Sequence, residues 1–206
     1  MSKFIMAKGK VAGLGTFDTL FNKSVPHILE KIFSSLDYDS FMMCRKVCKV
    51  WYELLSTQSY KKITEKLKEK KEENEERLCL AASNGNVEEI TYLLSEGVDI
   101  NCNRFKEKKF RLTPLHFAAL RRHQDVVRLL MNEGADPNTT SINGPYGESL
   151  LYYVVQNEYV DVLKLLLDGG ADPTEGSNRG TTPLHVALLY GNTYMINLLL
   201  GAIYKL

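Results

Sequence analysis

One short turn recurs along this chain and limits its fold more than any other feature: Gly97-Val98-Asp99, Gly134-Ala135-Asp136 and Gly170-Ala171-Asp172. Each copy closes an apolar stretch whose leucines fall at helical spacing: Leu93-Leu94, Leu129-Leu130 and Leu165-Leu166-Leu167. Anchored on these turns, four segments align, starting at Glu76, Thr113, Ser149 and Thr182, with 37, 36 and 33 residues between successive starts. A unit of that length holds a pair of short helices and has too little partner surface to bury its apolar face alone. Stacked copies bury it against one another, so the repeat predicts an all-α solenoid rather than a globule around one central core.

The second segment is the most complete, running Thr113-Pro114-Leu115-His116-Phe117-Ala118-Ala119, then Val126-Val127, then Leu129-Leu130. The fourth opens the same way, Thr182-Pro183-Leu184-His185-Val186-Ala187. Thr supplies an N-cap oxygen, and Pro fills the first helical position, where its missing N–H costs nothing. Alanines stand where paired helices approach closely, and Val126, Val127, Leu129 and Leu130 form the apolar face of a second helix. Gly134 then ends that helix in a left-handed turn. The order Thr-Pro-Leu-His-x-Ala at a period near 33 residues is the ankyrin signature. Residues 75–206 resemble ankyrin repeats, with copies at about 76–108, 113–144, 149–181 and 182–206. That resemblance implies a protein-binding stack. It also gives His116 and His185 a structural role, bonding the backbone of a neighbouring loop, and no nucleophile or carboxylate in the motif argues for catalysis.

Departures from the pattern are informative. Gly85 and Gly191 stand between the paired helices, but Arg122 and Glu158 replace glycine there, where a left-handed backbone costs a non-Gly residue about 1 kcal/mol. Tyr152 stands where the third repeat's His belongs. Two junctions are lengthened, Arg104–Phe110 by about four residues and Ser141–Gly147 by about three. Insertions in repeat proteins fall in the loops of one face, often the binding face. The variable pairs that end each first helix lie on one face at repeat spacing: Ser83 and Asn84, Leu120 and Arg121, Gln156 and Asn157, Leu189 and Tyr190. With Phe105, Phe110 and Tyr146 from the lengthened loops, they form the expected substrate- or partner-binding set.

A second unit precedes the repeats. Val25 to Leu36 reads as a short amphipathic helix opened near Ser24 and Pro26. Asp37-Tyr38-Asp39-Ser40 is a turn and a new N-cap. A further helix sets Phe41, Cys44, Val47, Cys48 and Trp51 toward a core and leaves Arg45, Lys46 and Lys49 to solvent. Residues 23–60 resemble an F-box, on Pro26, Ile32-Phe33, Leu36-Asp37 and the closing Val47-Cys48-Lys49-Val50-Trp51, with Val25 where that family usually has Leu. The resemblance implies contact with the adaptor subunit of a cullin–RING (SCF-type) ubiquitin ligase, while the rest of the chain captures a substrate protein. The adaptor-facing residues it implies are Pro26, Leu29, Ile32, Phe33, Leu36, Val47 and Trp51. Residues 61–77, rich in Glu and Lys without Gly or Pro, predict a solvated helical spacer with i,i+4 pairs. Residues 1–22 carry no assignment.

The net charge of +1, from 26 basic and 25 acidic residues, offers no electrostatic footprint for nucleic acid or an anionic membrane. No apolar run approaches the roughly 20 residues that span a bilayer, and Lys8 and Lys10 break the N-terminal apolar stretch too early for a signal peptide. These features predict a cytoplasmic or nuclear location, or both. Cys44, Cys48, Cys79 and Cys102 have neither zinc-ligand spacing nor a disulfide framework, and Gly9 to Gly15 lacks the Gly-Lys-Ser/Thr ending of a phosphate loop. The expectation is therefore a non-enzymatic binding protein without cofactor or metal. Two classes stand: a ubiquitin-ligase substrate receptor, and an ankyrin scaffold or inhibitor with no ligase contact. The last repeat lacks the Gly-Ala-Asp turn and ends Gly201-Ala202-Ile203-Tyr204-Lys205-Leu206. Terminal repeats need a polar outer face, so the sequence predicts a shortened form, a fold-back of Ile203, Tyr204 and Leu206 over the last helix, or self-association.

Overall fold

A computed structural model of the chain describes residues 37–40, 42, 58–103, 112–139 and 148–205. Among the described residues the elements are eight α-helices: α1 (Gln58–Asn84), α2 (Val87–Ser95), α3 (Pro114–Leu120), α4 (Gln124–Asn132), α5 (Leu150–Gln156), α6 (Val160–Asp168), α7 (Pro183–Tyr190) and α8 (Thr193–Ile203). The chain divides into two compact units, Met1–Lys71 and Glu72–Leu206.

In the first unit, Asp37 caps a helical turn over residues 38–40, as its sequence leads one to expect. One carboxylate oxygen accepts the Ser40 backbone N–H and the other accepts its hydroxyl, both at 2.8 Å. These two bonds, the backbone one first, hold the Asp37 carboxyl below the usual carboxylate range. Lys71 donates to Asp39 at 2.6 Å and lies 5.6 Å from the centre of the Tyr38 ring.

The charged stretch 61–77 is helical, and it runs without a break into the inner helix of the first repeat. Nothing in residues 58–84 interrupts it, because Glu, Lys, Leu and Ala are good helix formers and no Pro or Gly intervenes. Polar residues dominate its first half, and Leu78, Cys79, Ala81 and Ala82 turn inward near its end.

The second unit is a row of antiparallel helix pairs: the end of α1 with α2, α3 with α4, α5 with α6, and α7 with α8. One continuous apolar core runs through them, from Leu78, Ile90 and Leu93 through Leu115, Val127 and Leu130 to Leu151, Leu163 and Leu166. Thr113 and Thr182 are N-caps in extended backbone with Pro at the next position, as the motif predicts. Gly97, Gly134 and Gly170 take φ of +82°, +90° and +90°, the left-handed exits that only glycine adopts without strain.

The last repeat departs from the fold-back expectation. Helix α8 has 11 residues against nine in α4 and α6, because Gly201-Ala202 continues the helix where the earlier repeats turn. Tyr204 is carried into solvent, 85% exposed, and Ile203 is half-buried. Leu206 lies outside the described residues.

Candidate protein-binding surface

The expected partner-binding pairs occupy equivalent places in four successive repeats. Ser83 and Asn84 end α1, Leu120 and Gln156 end α3 and α5 with Arg121 and Asn157 as the following C-caps, and Leu189 and Tyr190 end α7. Asn84, Arg121, Gln156 and Asn157 are exposed, while Ser83 and Leu120 are half-buried. Leu189 and Tyr190 are 84% and 53% exposed. The row therefore changes along the stack, from small and polar at the first repeat, through a cation and amides, to two large apolar groups at the last. The Asn157 amide donates to the Tyr153 carbonyl at 2.7 Å, so its donor side is engaged by its own helix. Phe105, Phe110 and Tyr146 lie outside the described residues, as do all the adaptor-facing residues: Pro26, Leu29, Ile32, Phe33, Leu36, Val47 and Trp51.

Side chains passed over in the sequence fix this surface. His123, N-cap of α4, donates from Nε2 to the Ser83 carbonyl of the preceding repeat at 2.9 Å. Its ring lies over Gly85, where an added Cβ would come within 2.8 Å of Nδ1, and Gly85 also holds φ +74°. Glycine is thus required there twice over. The signal was present in the sequence: ankyrin repeats place Gly-His at this junction, and His123 is the half that the second repeat keeps.

Arg122 and Glu158 do take left-handed backbone, at φ +59° and +56°, as their alignment with glycine predicts. Each side chain reaches into the following repeat. The Arg122 guanidinium meets Asp161 at 3.0 Å and lies 5.1 Å from the centre of the Tyr159 ring, and Gln124 donates to the same Asp161 oxygen at 2.6 Å. Burial pushes the Asp161 carboxyl upward, but the hydrogen bond from Arg122, that from the Val162 N–H and the Arg122 charge together hold it low. Glu158 accepts a longer bond, 3.5 Å, from the Asn192 amide.

A second ladder ties the loops. Asn101 accepts the Asp136 N–H at 2.9 Å, and Asn138 accepts the Asp172 N–H at 2.7 Å. Within each turn the aspartate folds back on the residue two further on, taking the N–H of Asn101, Asn138 and Thr174 at 2.9, 2.9 and 2.8 Å. At the third turn Thr174 also gives its hydroxyl to Asp172 at 2.6 Å. The Thr174 hydroxyl, then its N–H, holds the Asp172 carboxyl below its ordinary range. Burial, followed by the charges of Asp172 and Asp136, raises the nearby Glu175.

His116 is fully buried. Its Nδ1 accepts the Thr113 hydroxyl at 2.8 Å and lies 3.4 Å from the Thr113 N–H, which assigns the proton to Nε2. Burial pushes this imidazole down to about 4, against the opposing effect of the Thr139 backbone in the next loop. A neutral ring locked in its own cap is a structural part, and its Nε2 is buried without a hydrogen-bond partner among the described residues. His185 makes the same cap with Thr182, at 2.8 and 3.1 Å, but is exposed.

The remaining polar chemistry is sparse. The sulfurs of Cys79 and Cys102 lie 4.0 Å apart, and both thiols are free and buried. Contact with Cys79, then burial, pushes the Cys102 thiol far up, which keeps it protonated and unreactive. Cys44 and Cys48 lie outside the described residues. Among the described residues no group of His, Cys, Asp and Glu is placed to hold a metal ion, and no helix is long and apolar enough to cross a membrane.

Comparison with known proteins agrees with this construction. The ankyrin-repeat family model, in three copies, matches residues 49–141 and 138–205, and an F-box-like model matches residues 26–66. An ankyrin repeat protein of Fowlpox virus (strain NVSL) is 35% identical over 114 residues, 55% of this chain and 32% of that protein. The mitochondrial disaggregases of Bos taurus and Homo sapiens are 43% and 44% identical over 61 and 63 residues, 30% of this chain and 8% of each. The chain thus spans about a third or less of the length of these relatives. Both matched domains are interaction modules rather than catalytic ones, and they give the chain a protein-interaction role. It belongs to the ankyrin-repeat family, with an F-box-like domain preceding the repeats.

Proposed function

We propose that this chain is the substrate-recognition subunit of an SCF-type (cullin–RING) ubiquitin ligase, acting in the cytoplasm, the nucleus or both. The observation that carries the reading is the pairing, in one chain, of an F-box-like match over residues 26–66 with a repeat stack that presents an aligned, exposed row of side chains. The F-box-like domain docks on the ligase adaptor through Pro26, Leu29, Ile32, Phe33, Leu36, Val47 and Trp51. The stack holds the substrate on the row from Ser83 and Asn84 to Leu189 and Tyr190, joined by Phe105, Phe110 and Tyr146. Large anchors dominate such interfaces, often at about 2 kcal/mol or more each, so Arg121, Leu189 and Tyr190 carry most of the affinity.

Calorimetry of the full chain against purified adaptor tests the first step. The expected result is saturable binding in the micromolar range or tighter, weakened at least tenfold, about 1.4 kcal/mol, by Leu29→Ala with helix content unchanged. No heat of binding by wild-type protein would sink the ligase reading and leave a scaffold or inhibitor.

A further inference from the structure

The first repeat carries sulfur where the following ones carry hydrogen-bonding groups. Counted from the shared anchors, Cys79 stands at the position of His116, Tyr152 and His185, and Cys102 at that of Thr139 and Glu175. In the third repeat Ser149 gives its hydroxyl to the Glu175 carbonyl at 2.8 Å, which ties the start of the inner helix to the loop after the Gly-Ala-Asp turn. In the second the His116 ring faces the Thr139 backbone. In the first, two sulfurs take this place. Those of Cys79 and Cys102 meet at 4.0 Å, and the Cys102 sulfur lies 3.7 Å from the Glu75 carbonyl. Thiols are weak hydrogen-bond donors, so these contacts hold the turn less firmly than the hydroxyl of Ser149 does.

The two thiols differ in access. Cys79 lies within α1 without exposure, whereas Cys102 is the one buried residue of the segment 97–103, at 4%. With that segment closed, Cys102 stays protonated and inert. A surface turn is the part of a fold that opens most readily, and a thiol brought into water can ionise and react. The Cys102 thiolate then attacks one oxygen of a hydroperoxide and is oxidised to a sulfenic acid. The O–O bond breaks, and the second oxygen leaves and takes up a proton. Reclosure returns the sulfenic acid to Cys79, whose thiol attacks the oxidised sulfur. Its proton departs with the hydroxyl as water, and the sulfurs close from 4.0 Å to the about 2 Å of a disulfide. A dithiol reverses the step, passing two electrons to the bond and becoming a disulfide itself.

We propose that Cys79 and Cys102 are a redox modification site, joined by a hydroperoxide in a reversible disulfide that pins α1 to the first turn. The lengthened Arg104–Phe110 junction leaves from that turn. In the test, the full chain is treated with hydrogen peroxide, its remaining thiols are alkylated under denaturing conditions, and it is digested at glutamates. Glu88, Glu89 and Glu96 separate the two cysteines. Mass spectrometry should find the Cys79 and Cys102 peptides linked, and dithiothreitol should part them. Cys79→Ser, with circular dichroism unchanged, should leave a Cys102 sulfenic acid that dimedone traps. The linked protein should exchange the amide hydrogens of residues 98–103 at least about tenfold more slowly than the reduced protein. Full alkylation of both thiols after peroxide overturns the proposal. So does pairing of either one with Cys44 or Cys48, or amide exchange that the link leaves unchanged.

Discussion

The second and fourth repeats open with the same four residues, Thr-Pro-Leu-His, and build the same cap, yet they stand in opposite environments. His116 is completely buried and His185 is exposed; Leu115 is covered and Leu184 only half so. The local bonds match closely, with threonine hydroxyl to Nδ1 at 2.8 Å in both. The motif therefore fixes the cap and the entry into the helix, while burial is conferred by the neighbouring repeat. In a stack of this kind, stability resides in the interfaces as much as in the units. The same substitution should then cost very different amounts in the two repeats.

The largest contrast is expected at Ala119 and Leu188, which are equivalent positions. Ala119→Arg forces a long cation between α3 and the following pair, combining overpacking with an unpaired buried charge, and should destabilise by about 3 kcal/mol or more. Leu188→Arg places the same group in solvent and should change stability by less than about 0.5 kcal/mol in the monomer. Urea unfolding followed by circular dichroism measures both. Similar losses at the two sites would mean that α7 is covered within the monomer.

Much of this architecture was legible in sequence. The Gly-Ala-Asp anchors, the Thr-Pro caps and the left-handed Arg122 and Glu158 follow from local rules about which residues tolerate which backbone. The exposed row at the helix ends followed from repeat spacing. Contacts between repeats were not legible: Arg122 to Asp161, and Asn101 and Asn138 to the next aspartate N–H. Each joins residues 34 to 39 positions apart, and no local periodicity signals it. The unbroken union of the charged stretch with the first repeat was also missed as a single helix. Composition separates the two halves, whereas helix propensity runs through both.

A pH titration sharpens the comparison of the two histidines. Burial holds His116 at about 4 in the folded protein, against an ordinary value of 6.5. The unfolded chain therefore binds the extra proton between these values, so stability at this site is full above 6.5 and lost as pH falls toward 4. The upper limit of the loss is about 3 kcal/mol, at 1.36 kcal/mol per pH unit. His116→Gln should flatten the stability profile between pH 6.5 and 4 while lowering stability at neutral pH through the lost cap. His185→Gln loses the equivalent cap with Thr182 at an exposed ring. Equal slopes for wild type and His116→Gln would place the acid sensitivity elsewhere.

The smallest effect concerns Arg122 and Glu158, the two non-glycine residues in left-handed backbone. Replacing either by glycine relieves about 1 kcal/mol of backbone strain. The two then differ in what is lost. Arg122→Gly removes the ion pair with Asp161 at 3.0 Å and the contact with the Tyr159 ring. A largely exposed pair contributes about 0–1 kcal/mol, and the cation–π contact adds about 0.5 kcal/mol, so the change should be near zero. Glu158→Gly gives up only the 3.5 Å bond from Asn192, and should stabilise the protein by about 0.5–1 kcal/mol. Thermal melts of the two variants and their double mutant measure the difference. If Arg122→Gly stabilises as much as Glu158→Gly, the Arg122–Asp161 bridge contributes nothing to holding the second and third repeats together.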